Sequence, residues 1–305
     1  MVKRNERREI VKKKNKIFLI VLMVLSMIFG IGLITYPAFS NWYMEKTQSM
    51  VYTTYKETME QIDTSAINSA IKAAQRYNAA LFDGLQLGEE TQLEDYDSLL
   101  NLSGTGIMGY VEIPALCVNI PIYHGCMEKE LQNGAGHLQG TSLPVGGADT
   151  HAVIAAHSGM AGARMFTDLE RLEYGDTFFL HVAGKTLTYE VDEIKVTLPS
   201  DIEAVRILKG EDLVTLLTCT PYGLNTHRLL VRGRRAQPSE KEAEQGPDIT
   251  LSKPVPRNSV WKEKYVQKIL IGLIASVCVL TLCLSVFLIL PSTNERRKRK
   301  FRHLR

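Results

Sequence analysis

Val214–Arg235 reads VTLLTCTPYGLNTHRLLVRGRR. Val214 to Thr218 is an apolar, β-branched run that reads as a buried strand and ends on Cys219. Pro221, Gly223 and Asn225 mark the next residues as a loop. Arg228-Leu229-Leu230-Val231 then begins a second strand nine residues after the thiol. If the two strands are neighbours, a thiol and a guanidinium share one sheet edge. A cation beside a thiol favours the nucleophilic thiolate. A small buried Cys next to a solvated Arg fits the same residues.

Outward from this stretch the pattern is mostly strands. Tyr110-Val111-Glu112-Ile113 and Cys117 to Tyr123 run apolar or alternate, with Pro at their edges. Gly134 to Gly147 is loop by composition, and His151 to Ala156 is a short apolar strand delivering His157 to the small pair Ser158-Gly159. Phe166 to Leu172 reads as a short helix, and Thr177 to Leu198 as a hairpin turning at Ala183-Gly184-Lys185. Six to eight strands with few helices predict a single antiparallel or mixed β-barrel of about 150 residues. Met44 to Phe82 lacks Pro and Gly and reads as one or two helices, with a break at Thr64-Ser65. Its sparse apolar positions predict packing on the barrel surface, not membership of the core. Asp83-Gly84-Leu85 reads as the end of that helix, followed by an acidic loop to Asn101 with a short helix at Asp95 to Leu100.

The ends of the chain differ from its middle. Ile17–Tyr36 is a twenty-residue run without charge, and Ile269–Leu290 is a second uncharged run, of 22 residues. Each is long enough to cross a hydrocarbon core as a helix. Eight Lys/Arg precede the first run and seven follow the second, which predicts both termini inside and the middle outside. Tyr36 to Ser40 offers no clean small-x-small cleavage site, so an uncleaved anchor is expected. The net charge of +3 therefore hides an acidic ectodomain between two basic juxtamembrane tails. That distribution suits anionic lipid and excludes a nucleic-acid binder. The expected organisation is a basic tail over 1–16, a span over 17–36 and a helical segment with a lid loop over 44–101. A barrel over 102–235, a linker over 236–264, a second span over 269–290 and a basic tail over 291–305 complete it.

An activated Cys needs a His partner. His157, at a strand end before two small residues, is the best placed. His227 abuts Arg228 and alternates to the opposite face, while His181 sits mid-hairpin on a solvated face. His151 and His157 share a face but stand roughly 20 Å apart on an extended strand, too far to share one ion. With no CxxC, phosphate loop or paired carboxylates, neither metal nor cofactor is expected. Cys117, Cys126 and Cys219 make an odd ectodomain count, and a Cys117–Cys126 bridge stays open.

These segments together resemble the sortases. TLLTC (Thr215 to Cys219) followed by RLLVRG (Arg228 to Gly233) looks like the family's TLxTC signature and its Arg strand. VIAAHSG (Val153 to Gly159) is similar to the strand ending in the sortase histidine. GHLQGTSLPVGG, FTDLERLEYGDTFFL, MGYVEIP and NIPIYHG match the surrounding segments in order. The helical N-terminal segment, the acidic loop and the C-terminal anchor look like class C, the pilin-polymerising sortases.

The resemblance implies a mainly β, eight-stranded sortase-type barrel with N-terminal helices and two flanking transmembrane helices. It also implies a membrane-bound cysteine transpeptidase on a Gram-positive-type surface. By that resemblance Cys219 attacks the Thr–Gly bond of an LPXTG-like sorting signal, and His157 is general acid/base or imidazolium partner. Arg228 holds substrate and stabilises the oxyanion with backbone groups near Thr218. The partners implied are a pilin or surface-protein sorting signal and an acceptor amine, either a pilin lysine or, for a wall-anchoring enzyme, a peptidoglycan precursor. A non-catalytic adhesion or scaffold protein with a barrel ectodomain is the reading from another class, and a soluble-type Cys hydrolase that needs no amine is the remaining option. Two departures stand out. Ala155-Ala156-His157 replaces the common Ser-Gly-His. Asp83-Gly84-Leu85 occupies the positions matched to the class C lid, Asp-Pro-aromatic, which predicts a looser lid over the thiol with Asp83 left to face Arg228.

Overall fold

The structure is a computed structural model describing residues 2–87, 95–158, 160, 164–236 and 271–272. It divides into two units, Met1–Pro37 with Lys262–Arg305, and Ala38–Trp261.

Helix α1 (Val2–Gln61) carries Ile17–Tyr36 without a break. Phe18, Phe29 and Leu33 there are each at least 61% exposed. Among the described residues no helix is long and apolar enough to cross a membrane. Leu19 and Ile34 lie inside the apolar run, but their side chains are not among those described. Of the expected second span only Ile271 and Gly272 are described, both helical. The linker beyond Ala236 and the C-terminal tail lie outside the described residues.

The second unit is a closed barrel in the order β1-β2-β3-β4-β7-β8-β6-β5. Its strands are β1 (Ile107–Ile113), β2 (Val118–His124), β3 (Ala135–His137) and β4 (Thr150–Ala155). The remainder are β5 (Thr177–Val182), β6 (Lys185–Thr197), β7 (Asp212–Thr220) and β8 (His227–Arg235). The β2–β3 and β4–β7 pairs are parallel and the others antiparallel, so the mixed barrel is the one present. The β5–β6 hairpin turns on Ala183 and Gly184, with φ of 48° and 71°. Positive φ at both central residues is the turn whose twist matches a two-residue hairpin.

The helical break falls where Thr64-Ser65 places it. α1 ends at Gln61 and α2 (Thr64–Leu87) begins three residues later. Asp63 closes the gap, its carbonyl accepting from Ala66 N and its carboxylate from the Ser65 hydroxyl. Tyr55 of α1 is buried; its hydroxyl donates to Met108 O (2.9 Å) and accepts from Ala183 N (3.1 Å), joining β1 to the hairpin turn.

The helices do more than cover the surface, contrary to the expectation from their composition. Ile71, Ala74 and Tyr77 of α2 belong to the main core with Leu99, Leu100 and Met108. Small Ala74 permits that close approach. Asn78, one position further, exchanges two hydrogen bonds with the Leu143 backbone (2.7 and 3.0 Å). The segments read as helix at Asp95–Leu100 and Phe166–Leu172 form single 3-10 turns, at Tyr96–Ser98 and Leu169–Arg171.

Buried His137 has a partner at each ring nitrogen. His137 is fully buried and accepts from the Tyr96 hydroxyl at Nδ1 (2.9 Å) while Nε2–H donates to Ser142 O (2.8 Å). Burial holds its pKa down at about 4, from an ordinary 6.5. The unfolded chain therefore takes up a proton near pH 6.5 that the folded chain refuses until about pH 4. Stability from this neutral histidine is complete above pH 6.5 and is lost as pH falls toward 4, a total of about 3 kcal/mol. The urea midpoint should drop across that window, and the His137 ring proton should show no NMR titration above pH 5.

Candidate active site

Alternation along three neighbouring strands decides which side chains meet. In β4, Ala152, Ile154 and, one residue past the strand, Ala156 face the core; in β7 Val214 and Leu216 do, and in β8 Leu229 and Val231. The residues between them, His157, Cys219 and Arg228, therefore share the outer face of the sheet. Cys219 is directly opposite Arg228 in the β7–β8 ladder. In the parallel β4–β7 ladder Ala155 pairs with Leu217, and Ala156 N donates to Leu217 O (3.1 Å) one residue further on. The same register carried on brings His157 alongside Cys219. A thiol thus has an imidazole on one neighbouring strand and a guanidinium on the other.

The supports of this trio are specific. Thr218 is 2% exposed and its hydroxyl donates to Ala156 O (2.7 Å), fixing the strand end that carries His157. Its side chain is thereby committed, and only backbone near it is left for an oxyanion. His157 O accepts from Phe166 N (3.1 Å), which anchors the returning chain. Arg228 Nη1 donates to Asn225 O and His227 O (3.2 and 3.1 Å), curling over the β7–β8 loop. His151 lies on the same outer face as His157 but is buried. Its Nδ1–H donates to Arg206 O (2.8 Å) and its Nε2 accepts from the Thr215 hydroxyl (2.7 Å). Burial lowers its pKa. His151 thus pins the β6–β7 connection over the lower part of this face, and the upper part keeps the trio. Among the described residues no His/Cys/Asp/Glu group could hold a metal ion.

The structure gives the residues of the expected lid, Asp83-Gly84-Leu85, a helical setting. All three lie within α2, which runs on to Leu87. Gly84 is buried, and Asp83 and Leu85 are exposed. The apolar spacing Ile67, Ile71, Ala74 and Leu81 continues the helical face to that point, so one Gly does not end it. Asp83 lines a hollow of about 300 Å³ with Phe82, Gly147 and Thr150. Thr150 starts β4 and His157 lies beyond its other end, roughly 23 Å along an extended chain. Asp83 therefore stands beside the start of β4, the end away from His157.

Two other sequence readings change. His181 is not on a solvated face: it stacks on Tyr110 with ring centroids 4.3 Å apart and its Nε2 lies 3.1 Å from Glu112 Oε2. Cys117, Cys126 and Cys219 are all free thiols, so the open bridge is not formed. Burial, with the Glu130 charge adding to it, pushes the Cys126 thiol up to about 11. Cys126 should consequently resist iodoacetamide at pH 7.5, and peptide mapping of the Cys126→Ser variant should show an unchanged labelling pattern elsewhere. One neighbour of His157 was missed altogether. Glu128 opens α3 (Glu128–Asn133) and brings Oε2 to 3.8 Å from His157 Nε2. No spacing rule links an acid to a histidine 29 residues later.

Together these features set a cysteine between a histidine and an arginine at one edge of a β-barrel. A family profile described as Sortase domain matches residues 111–236. Sortase A of Streptococcus agalactiae is 29% identical over 137 residues, 44% of this chain and 55% of that protein, so the match spans about half of that relative. Sortase C from Clostridium perfringens with the C-terminal cell wall sorting motif is a structure 42% identical at TM-score 0.56, covering 62% of this chain and 99% of that one. The lid-mutant of Streptococcus agalactiae Sortase C1 is 45% identical at TM-score 0.57, covering 61% of this chain and 97% of that one. The chain belongs to the sortase family, the cysteine transpeptidases that act on sorting-signal peptide bonds.

Proposed function

We propose that this sortase is a pilin-joining transpeptidase held at the membrane by Ile17–Tyr36 and Ile269–Leu290, with its barrel outside the cell. The observation that carries the chemistry is the register that sets Cys219 between His157 and Arg228. Support for the pilin reading comes from identity above 40% to sortase C structures of three bacteria.

In this reading Cys219 attacks the Thr–Gly carbonyl of an LPXTG-like signal. Arg228 and backbone groups near Thr218 stabilise the oxyanion. His157 gives its proton to the departing Gly amine, leaving a Cys219 thioester and a neutral imidazole. A pilin lysine then resolves the thioester. Its choice over water or a peptidoglycan-precursor amine is what makes the product a polymer.

The test uses the full chain in detergent with an LPXTG-type peptide, alone and with a pilin-derived lysine peptide or a wall-precursor amine. A thioester seen by mass spectrometry, and transfer to the lysine peptide in preference, is the expected result. Preference for the wall amine replaces the pilin reading with wall anchoring. No thioester at all removes the transpeptidase reading.

A further inference from the structure

Different groups flank Cys219 on the outer face. Across β8, Arg228 pairs with Thr197 of β6, whose hydroxyl donates to the Asp201 carboxylate. The guanidinium on that side suits an acyl donor whose carbonyl oxygen gains negative charge. Across β4 lies His157, and beyond it the side chain of Glu128, 72% exposed. This carboxylate is held in place: Gln132 Nε2, one helical turn on, donates to its Oε1 (3.0 Å), which leaves Oε2 facing His157 Nε2 at 3.8 Å. The second side is thus an anionic group directly over the atom that handles protons.

The resolving nucleophile arrives as a cation, since a lysine amine is protonated below a pH of about 10. It must shed protons within reach of a base before and during attack. The ammonium releases one proton to water, and the free amine attacks the thioester carbonyl. The carbon–sulfur bond breaks, and the nitrogen's second proton passes to His157 Nε2. Amide forms, and Cys219 is left as thiolate beside an imidazolium. A carboxylate at the mouth of this path attracts the ammonium by Coulomb force, weakly because it is exposed.

We propose that Glu128, oriented by Gln132, is the docking group for the acceptor lysine, so that donor and acceptor enter on opposite sides of the thiol. This rests on the lysine-accepting reading above. The experiment measures acceptor KM and kcat on the full chain with saturating sorting peptide, for wild type, Glu128→Gln and Gln132→Ala. Two acceptors are compared, a lysine peptide and hydroxylamine, which is uncharged at neutral pH.

For the lysine peptide, Glu128→Gln should raise KM about threefold to fivefold with a smaller change in kcat, and Gln132→Ala should move it the same way by less. The rise of wild-type KM with ionic strength should flatten in Glu128→Gln. Hydroxylamine should show less than about a twofold change, as expected for an uncharged acceptor. Equal changes for the two acceptors would make Glu128 a positioning residue for His157 alone and overturn the proposal. An unchanged lysine KM overturns it too. A missing thioester in wild type would instead defeat the transpeptidase reading itself, and this inference with it.

Discussion

Cys219→Ala is expected to abolish both thioester formation and transfer, a loss on the order of 10⁴-fold or more in turnover. The size follows from the site having one nucleophile: Cys126 is held protonated by burial, with a pKa of about 11, and Cys117 lies in the β1–β2 connection of the barrel. Cys219→Ser should be nearly as inactive, because a hydroxyl does not ionise beside an imidazole as a thiol does. Arg228→Ala should leave a slow enzyme, down about 10²-fold to 10³-fold, the usual cost of one oxyanion donor. Arg228→Lys should recover only part of that, since a point charge lacks the planar fork. Mass-spectrometric capture of the thioester and single-turnover rates check all four. Normal thioester formation by Cys219→Ala would send the nucleophile elsewhere.

Gly136→Ala carries the largest expected effect on stability. Gly136 lies in β3, paired with Tyr123 on one side and Ala155 on the other. A Cβ there would collide with the Gly125 carbonyl oxygen and come within 3.1 Å of Cys126 Cα. Both are backbone atoms, so no side chain can swing aside. Strand β3 has only three residues and little ladder to absorb a displacement. Overpacking of this kind costs about 3 kcal/mol, a fall of several degrees in melting temperature for a domain of this size. Because Ala155 precedes His157 by two residues, the same shift should also slow thioester formation. A melting temperature within about one degree of wild type would mean that β2 and β3 part without penalty, against this ladder.

Much of this architecture is local chemistry and was legible in the sequence. The Cys219–Arg228 pairing follows from two apolar runs and the loop residues between them, and the register places the two side chains opposite each other. The Ala183-Gly184 turn and the Thr64 helix start are punctuation that one residue announces. What was misread depended on distant contacts. Gly84 looked like a helix end, and only the continued packing of Ile71, Ala74 and Leu81 shows why the helix passes through it. His181 looked solvated because alternation within a hairpin says nothing of Tyr110 and Glu112 on β1. Glu128 meets His157 through the fold alone.

Cys219 lies on β7, Arg228 on β8 and His157 just past the end of β4, and parity along each strand decides which way every member points. A slip of one residue in β8 would turn Arg228 into the core and bring Leu229 out, leaving the thiol intact but without its cation. The connections at residues 198–211 and 221–226 are under no such rule. They join strands whose alignment the ladders set, so apart from the Asn225 and Arg206 carbonyls that hold Arg228 and His151 they can vary while Cys219, His157 and Arg228 keep their places. Retooling the chain for a different peptide is therefore a matter of rewriting loops, and a variant library confined to those two segments should yield altered substrate choice far more often than lost chemistry.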